Sequence, residues 1–428
     1  MPFYVRRGEL PRVKHTAFRK GDGPALYREE LFSSRGFAGP YSTRYHLGSP
    51  SALLRSREIA LAKAEPWAEA PLSYLHCFTD RLEAGGDFLS ARRTLLANAQ
   101  VSLATAQPTA NADFFFRNAW ASEYLFVHLG EGVLRSEFGD LRFGPGDQLV
   151  VPRGTTYRLD LDRPEGNKLL VVECDQAFEI PAHYRNGVGQ LEEHAPYCER
   201  DLRVPGLAEP RDAKGEFRLI LKAGERAFEQ VLANHPFDVV GWDGYLFPFA
   251  LNLRDFHPKV GRIHLPPPAH LFLRNDRLAL CNFVPRPFDF HPDAIPVPYF
   301  HSNVDCDEVL YYAGGEFMSR KGIVEGSLTL HPAGMPHGPQ PGKIEASLGK
   351  ASTDEWAVMV DTFAPLRPTA NARRTLDEGY AQSWLEPPHQ GTAEGAAFGR
   401  SIGLGPPHQG TAEGAAFGRS IGLGRGEP

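Results

Sequence analysis

The chain has 428 residues, 42% of them apolar, and a formal net charge of −6 at pH 7. That length allows two or more domains with large cores, and the acidic balance lacks the basic footprint of a nucleic-acid partner. No run approaches the roughly 18 apolar residues of a membrane span, and the opening MPFYVRRGELPRVKHTAFRK lacks the apolar core of a secretory signal. A cytoplasmic protein with no membrane partner is expected.

The five cysteines, Cys77, Cys174, Cys198, Cys281 and Cys306, are scattered, odd in number and without a C-x-x-C pair, which favours free thiols over disulfides or structural zinc. The 43 glycines and 37 prolines sit between short runs of Val, Leu, Phe and Tyr. That punctuation reads as an all-β sandwich or barrel, not as alternating βα units.

Residues 1–60 are expected to form short strands and extended loops packed against other domains or subunits. Residues 56–65 (SREIALAKAE) have the spacing of a helical turn or two. From residue 72 short strands recur in SYLHCF, GDFLSARRTLL and AQVSLATA. Residues 117–161 carry alternating strands, a Gly130-Glu131-Gly132 hairpin and a second turn at Gly144-Pro145-Gly146. A buried strand, LLVVE, and a loop-rich connection follow. Residues 227–233 match a helical period, but the Lys222-Ala223-Gly224-Glu225 turn before them favours a hairpin strand. WAVMVDTF closes the last sheet, and residues 369–385 read as an amphipathic helix capped by Thr369 or Asn371. PPHQGTAEGAAFGRSIGLG then occurs twice in tandem, at 387–405 and 406–424. Its Gly/Ala/Pro-rich content cannot offset the entropy of ordering, so a floppy tail is expected.

A longer-range repeat is more informative. Gly146-x5-Pro152-x-Gly154-x2-Tyr157 superposes on Gly326-x5-Pro332-x-Gly334-x2-His337, and Glu123-x6-Gly130 superposes on Glu308-x6-Gly315. The chain contains a diverged internal duplication. The second copy carries His301, Asn303, Glu308 and His337. The first has Tyr157 in place of His337 and nothing better than Asn118 or Trp120 opposite His301, so it reads as a structural module.

Two imidazoles and a carboxylate, His301, His337 and Glu308, leave part of a metal's coordination sphere open. Such a donor set favours iron(II), with manganese next. Cys306 lies between the ligands and reads as a small buried hydrophobe. His264, His270, His291 and His331 cluster near the motif in sequence, and a histidine among them suits proton removal from a phenol. Arg286 and Lys321 could pair with an anionic substrate, although surface exposure is the plainer reading of each.

The double motif resembles the cupin superfamily. More narrowly, PYFHSN, PHGP, NHPFDVVGWDG (234–244) and GFAGPYSTRYH resemble homogentisate 1,2-dioxygenases, over most of residues 3–385. The resemblance implies an all-β, bicupin-like jelly roll. A degenerate module would lie within residues 1–255, a catalytic metal-binding cupin within 256–385, and the tail from 386 onward. It implies Fe(2+) held by His301, Glu308 and His337, and opening of the homogentisate ring with dioxygen to maleylacetoacetate, in tyrosine and phenylalanine breakdown. His264 best matches the family's acid/base histidine, and His331 matches another pocket histidine. Asn303, Phe317 and His337 would face the substrate, with Phe317 standing where the family has a substrate-contacting tyrosine. Trimers or hexamers are implied as well. The spacing from His301 to Glu308 is one residue longer than in animal enzymes, which makes Asp307 a rival ligand. Two other readings stand beside this one: a manganese or iron cupin isomerase or decarboxylase, and a non-catalytic bicupin that binds a small molecule.

Overall fold

The computed structural model describes residues 3–385, so the duplicated tail expected to be floppy lies outside the described residues. The all-β architecture expected from the sequence is what the chain adopts. Its strands form two seven-stranded sheets, a six-stranded sheet, a four-stranded sheet and a two-stranded ribbon, with short helical segments between them.

One seven-stranded sheet contains Ser122–Leu129, Asp147–Val151, Lys168–Cys174, Val101–Ala106 and Arg92–Ala97. Both of its faces are buried. Leu125, Val127, Leu149, Leu169 and Val171 pack with Phe116, Leu134, Tyr157 and Leu159 of the facing sheet, closing the first barrel. Residues of opposite parity, among them Tyr124, Phe126, Leu170 and Val172, share a core with Leu280, Val309, Tyr311, Val358 and Val360 of the six-stranded sheet. Burial on both sides explains the unbroken apolar run Leu169-Leu170-Val171-Val172.

The six-stranded sheet has the order Leu271–Arg274, Leu278–Phe283, Trp356–Thr362, Asp307–Gly314, Ser327–His331, Leu75–Phe78. Alternation divides each strand between two environments. Val309, Tyr311, Val358 and Val360 face the neighbouring sheet. Leu310, Tyr312, Ala357, Met359 and Cys281 face the inside of the second barrel. Glu308 and Asp361 continue that inner parity.

The internal duplication is visible in the backbone. The superposed glycines Gly130 and Gly315, Gly146 and Gly326, and Gly154 and Gly334 all take positive φ, between 75° and 96°. Left-handed backbone at six matched turns accounts for the glycines there.

Two expectations are corrected. Residues 56–65 do not form helical turns: Leu53–Ile59 is an edge strand on Arg226–Asn234. Arg55 and Arg57 pair with Glu216 and Glu229 across it, an alternation of two that overrides the weak helical period. The C-terminal helix is only Ala370–Thr375, capped by the Thr369 side chain accepting from the Asn371 N–H. It stops because the Asp377 N–H donates to the His76 carbonyl and Tyr380 turns into the barrel. Residues 227–233 are strand, as the preceding turn indicates.

Candidate metal centre

Glu308 lies on the strand Asp307–Gly314, directly opposite His331 on one neighbour and Asp361 on the other. Directly opposed residues share a face, so His331, Glu308 and Asp361 stand abreast on the inner wall. His301 and His337 lie outside the named strands and are joined by an isolated antiparallel bridge. Each N–H donates to the other's carbonyl at 2.8 Å. Close approach is needed there: a Cβ on Gly338 would sit 2.6 Å from the Phe300 ring and 2.8 Å from its Cα. The PHGP glycine thus lets the two histidine-bearing segments meet.

His301, Glu308 and His337 bring one ligand atom each within 4.8 Å of one another. The His301 Nε2 is 3.3 Å from one carboxylate oxygen of Glu308, and the His337 Nε2 is 3.2 Å from the other. The orientation of the rings is fixed from behind. His301 Nδ1 lies 3.2 Å from the Tyr299 carbonyl and His337 Nδ1 lies 3.0 Å from the Met335 carbonyl. A carbonyl only accepts, so each Nδ1 carries the proton. A neutral ring then turns a lone pair, not a proton, toward Glu308. Two lone pairs and a carboxylate converging in a buried place require a cation among them, either added protons or a metal ion. His337 Nε2 is also a buried atom without a hydrogen-bond partner of good geometry. The residues fit a divalent ion with mixed nitrogen and oxygen ligation.

Burial works to raise the Glu308 carboxyl, but His331, together with His301 and His337 when their Nε2 atoms take up protons, outweighs it and holds it well below the usual range. The His301 imidazole is raised by its hydrogen bond to Glu308. His331 behaves differently. It is fully buried, and burial pushes its imidazole down to about 4 despite Glu308 beside it. As a neutral ring it donates from Nδ1 to Glu308 Oε1 at 2.8 Å and accepts at Nε2 from the Tyr380 hydroxyl at 3.0 Å. Both nitrogens are used in orienting the carboxylate.

The other sequence candidates separate clearly. Asn303 Nδ2 donates to Glu308 Oε2 at 3.3 Å. Asp307 is occupied elsewhere, accepting from the Ala333 and Leu366 N–H groups at 2.8 and 2.7 Å, so the longer spacing does not bring it to the cluster. His264 is half exposed, 3.0 Å from Asp289, and one ring removed from His301: it meets Tyr299 edge-on at 5.3 Å, and Tyr299 meets His301 at 6.2 Å. His270 packs on Phe283, and burial pushes its imidazole down to about 3. His291 accepts from the Asp293 N–H in its own turn. Phe317 packs on Tyr312 against the inner barrel core. Cys306 is buried, its thiol pushed up to about 12 by burial and then by the nearby Asp361.

Sequence reading missed Asp361 and Tyr380. Asp361 has a buried oxygen without a hydrogen-bond partner, and burial followed by the Glu308 charge raises its carboxyl to about 8. Its signal was present in the alternation of WAVMVDTF, which puts Asp361 on the same face as Ala357 and Met359.

Residues 81–253 match the family model described as homogentisate 1,2-dioxygenase N-terminal. A Saccharolobus solfataricus protein bearing the name "Putative dioxygenase" is 41% identical over 388 residues, 90% of this chain and 99% of that one. The homogentisate 1,2-dioxygenase of Bradyrhizobium diazoefficiens is 30% identical over 289 residues, 64% of this chain and 63% of that protein. That of Rhodopseudomonas palustris is 29% identical, with 69% and 70% of the two chains covered. The chain belongs to one family with that Saccharolobus solfataricus protein, and its residues 81–253 match the homogentisate 1,2-dioxygenase N-terminal family. Membership makes it a dioxygenase-type enzyme. The homogentisate 1,2-dioxygenase family model covers the first barrel, so the His301, Glu308 and His337 cluster lies beyond the matched span. Solved structures that align include a mutant of Bacillus subtilis oxalate decarboxylase, with a TM-score of 0.32 and 14% identity over 69% of this chain and 78% of that one. A cupin 2 conserved barrel domain protein from Leptotrichia buccalis has a TM-score of 0.30 and 11% identity, over 71% and 100%. Among the described residues no helix is long and apolar enough to cross a membrane.

Proposed function

We propose that the protein is an iron(II)-dependent ring-cleaving dioxygenase acting on homogentisate or a close dihydroxyphenyl acid, with maleylacetoacetate as the product from homogentisate. The observation that carries this reading is the convergence of His301, Glu308 and His337 with both Nδ1 atoms tied back to carbonyls. Family membership supplies the reaction class.

In this reading His301, Glu308 and His337 hold the ion. Bound there, it would supply open positions at which a phenolate and dioxygen are brought together. The remaining residues act through position. Tyr380 orients His331, and His331 fixes one carboxylate oxygen of Glu308. Asn303 reaches the other oxygen. His264, half exposed and 3.0 Å from Asp289, would take a phenolic proton and return it to solvent. Phe317 offers an apolar face to an aromatic ring. The same reading includes the division at residues 255 and 385, a cytoplasmic setting, a role in tyrosine and phenylalanine breakdown, and a trimer or hexamer. Exposed apolar side chains near the site, Tyr299, Phe300 and Val304, are consistent with a covering subunit.

The test is metal content and oxygen uptake on protein loaded anaerobically with ferrous iron. One equivalent of dioxygen consumed per homogentisate, lost in Glu308→Ala, is expected. Metal-dependent turnover without oxygen uptake would replace this reading with an isomerase or decarboxylase. Tight binding without turnover would replace it with a small-molecule carrier.

A further inference from the structure

His337 lies in an irregular stretch outside the named strands, so no sheet dictates its place. The peptide groups around it are nevertheless all held. The Met335 carbonyl accepts from His337 Nδ1, and the His337 N–H and carbonyl pair with His301. The Pro336 carbonyl accepts from the Tyr74 hydroxyl at 2.5 Å. The Gly338 carbonyl accepts twice, from the Trp384 indole N–H at 2.9 Å and from Arg320 at 2.5 Å. A carbonyl has two lone pairs, so that oxygen is fully engaged.

Trp384 belongs to a short C-terminal segment, residues 377–385, that is fastened to the second barrel at several points. The Asp377 carboxylate lies 3.0 Å from His76 Nδ1, and the Ser383 hydroxyl accepts from the Gln340 side chain at 2.5 Å. The Tyr380 hydroxyl donates to His331 Nε2 at 3.0 Å. The Trp384 ring meets Tyr74 at 4.9 Å and His331 at 6.1 Å. Arg320, drawn by the Glu308 charge, braces the arrangement: it hydrogen-bonds Tyr380, and its guanidinium lies 5.3 Å from the Trp384 ring. Two routes therefore run from this one segment to the candidate ligands. Tyr380 acts through His331 on Glu308, and Trp384 acts through Gly338 on His337.

We infer that residues 377–385 are a strap whose docking is coupled to metal occupancy, with Trp384 as the positioning residue for His337. This rests on His301, Glu308 and His337 holding an ion and asks nothing of the reaction. A ligand on irregular backbone binds only as well as its neighbours fix it. Coupling is reciprocal, so a strap that strengthens metal binding is itself strengthened when metal binds.

The experiment titrates metal-free, full-length protein with cobalt(II), whose visible bands report ligand geometry and need neither dioxygen nor substrate. Trp384→Phe keeps an aromatic ring beside Tyr74 and removes the indole N–H. It should weaken cobalt binding by about tenfold, the lower end of the range for a partner behind a ligand, and shift the bands. Tyr74→Phe, which frees the Pro336 carbonyl, should act in the same direction. In wild type, amide hydrogen exchange over 380–385 should slow when cobalt is added, while the edge strand Leu53–Ile59 exchanges as before; in Trp384→Phe the slowing should shrink. Wild-type affinity and bands in Trp384→Phe, or exchange over 380–385 indifferent to cobalt in wild type, would overturn the coupling and leave metal binding standing. A wild type that takes up no stoichiometric cobalt would sink the metal-centre reading and the coupling with it. Should Trp384→Phe fail to fold, the cobalt dependence of exchange in wild type decides.

Discussion

In the first barrel Glu123 stands between Val151 and Glu173 on the neighbouring strands; in the second, Glu308 stands between His331 and Asp361. Each barrel therefore places two carboxyl groups side by side on an inner wall, and the two differ in what answers that charge. In the first, Arg92 reaches Glu123 at 2.6 Å and Glu173 at 3.3 Å, Lys222 sits 2.6 Å from Glu173, and the Tyr157 hydroxyl donates to Glu123 at 2.7 Å. Burial works to raise the Glu173 carboxyl, but Lys222 and Arg92 outweigh it and hold it below the usual range. Two permanent side-chain cations balance two carboxylates. In the second barrel neither a lysine nor an arginine pairs with Glu308 or Asp361 among the described residues. Imidazoles stand there instead, and the balance is left to protons or to a divalent ion. The duplication thus diverged by exchanging a guanidinium for a place where a metal ion fits.

The sharpest way to break this contrast is to remove the carboxylate in the second barrel. Glu308→Ala should abolish stoichiometric iron binding and oxygen uptake together, read by metal analysis and an oxygen electrode, with the fold retained. An unchanged metal content would mean that the ion, if any, binds elsewhere.

The opposite result is expected in the first barrel. Arg92→Met leaves Glu123 and Glu173 buried with one cation fewer, and breaking a buried pair this way costs about 3–5 kcal/mol. Thermal or denaturant unfolding should show that loss, while iron per chain stays constant. Next in size is His331→Leu, which frees one Glu308 oxygen from its orienting donor. Metal affinity should fall by about 10–100-fold, the range for removal of a partner behind a ligand, measured by competition with a chelator.

A further way to sharpen the contrast concerns pH. Asp361 has a folded-state value raised from 3.8 to about 8, so the folded metal-free protein holds a proton that the unfolded chain releases. Its contribution to stability is fully present below the unfolded value and is lost as pH rises toward 8. The melting temperature of metal-free protein should therefore fall between pH 5 and pH 8. Asp361→Asn should flatten that slope, and so should metal loading, because a nearby cation favours the ionised carboxyl. A slope that persists unchanged in Asp361→Asn would assign it to another group.

What sequence could disclose here was local. The turns recur because six glycines need left-handed backbone, and those spacings located Glu123, Glu308 and His337. His331 was legible as a histidine near the pocket but not as a ring with both nitrogens spent, since Tyr380 comes from 49 residues further on. Arg92 could not be found from the motif, because it approaches Glu123 from a strand 31 residues upstream that carries none of the repeat's signature. Asp361 was readable in principle from alternation. The C-terminal helix was overread because its periodicity continues past Thr375, whereas the hydrogen bond from Asp377 to His76 ends it.

The two histidines of the candidate centre ride on a two-residue bridge between otherwise irregular segments, and only Glu308 is anchored in a sheet. Loading the ion should consequently act as a clasp on the rim. Limited proteolysis around residues 288–304 ought to slow when iron is added, making protease resistance of that stretch a gauge of occupancy that needs no substrate at all.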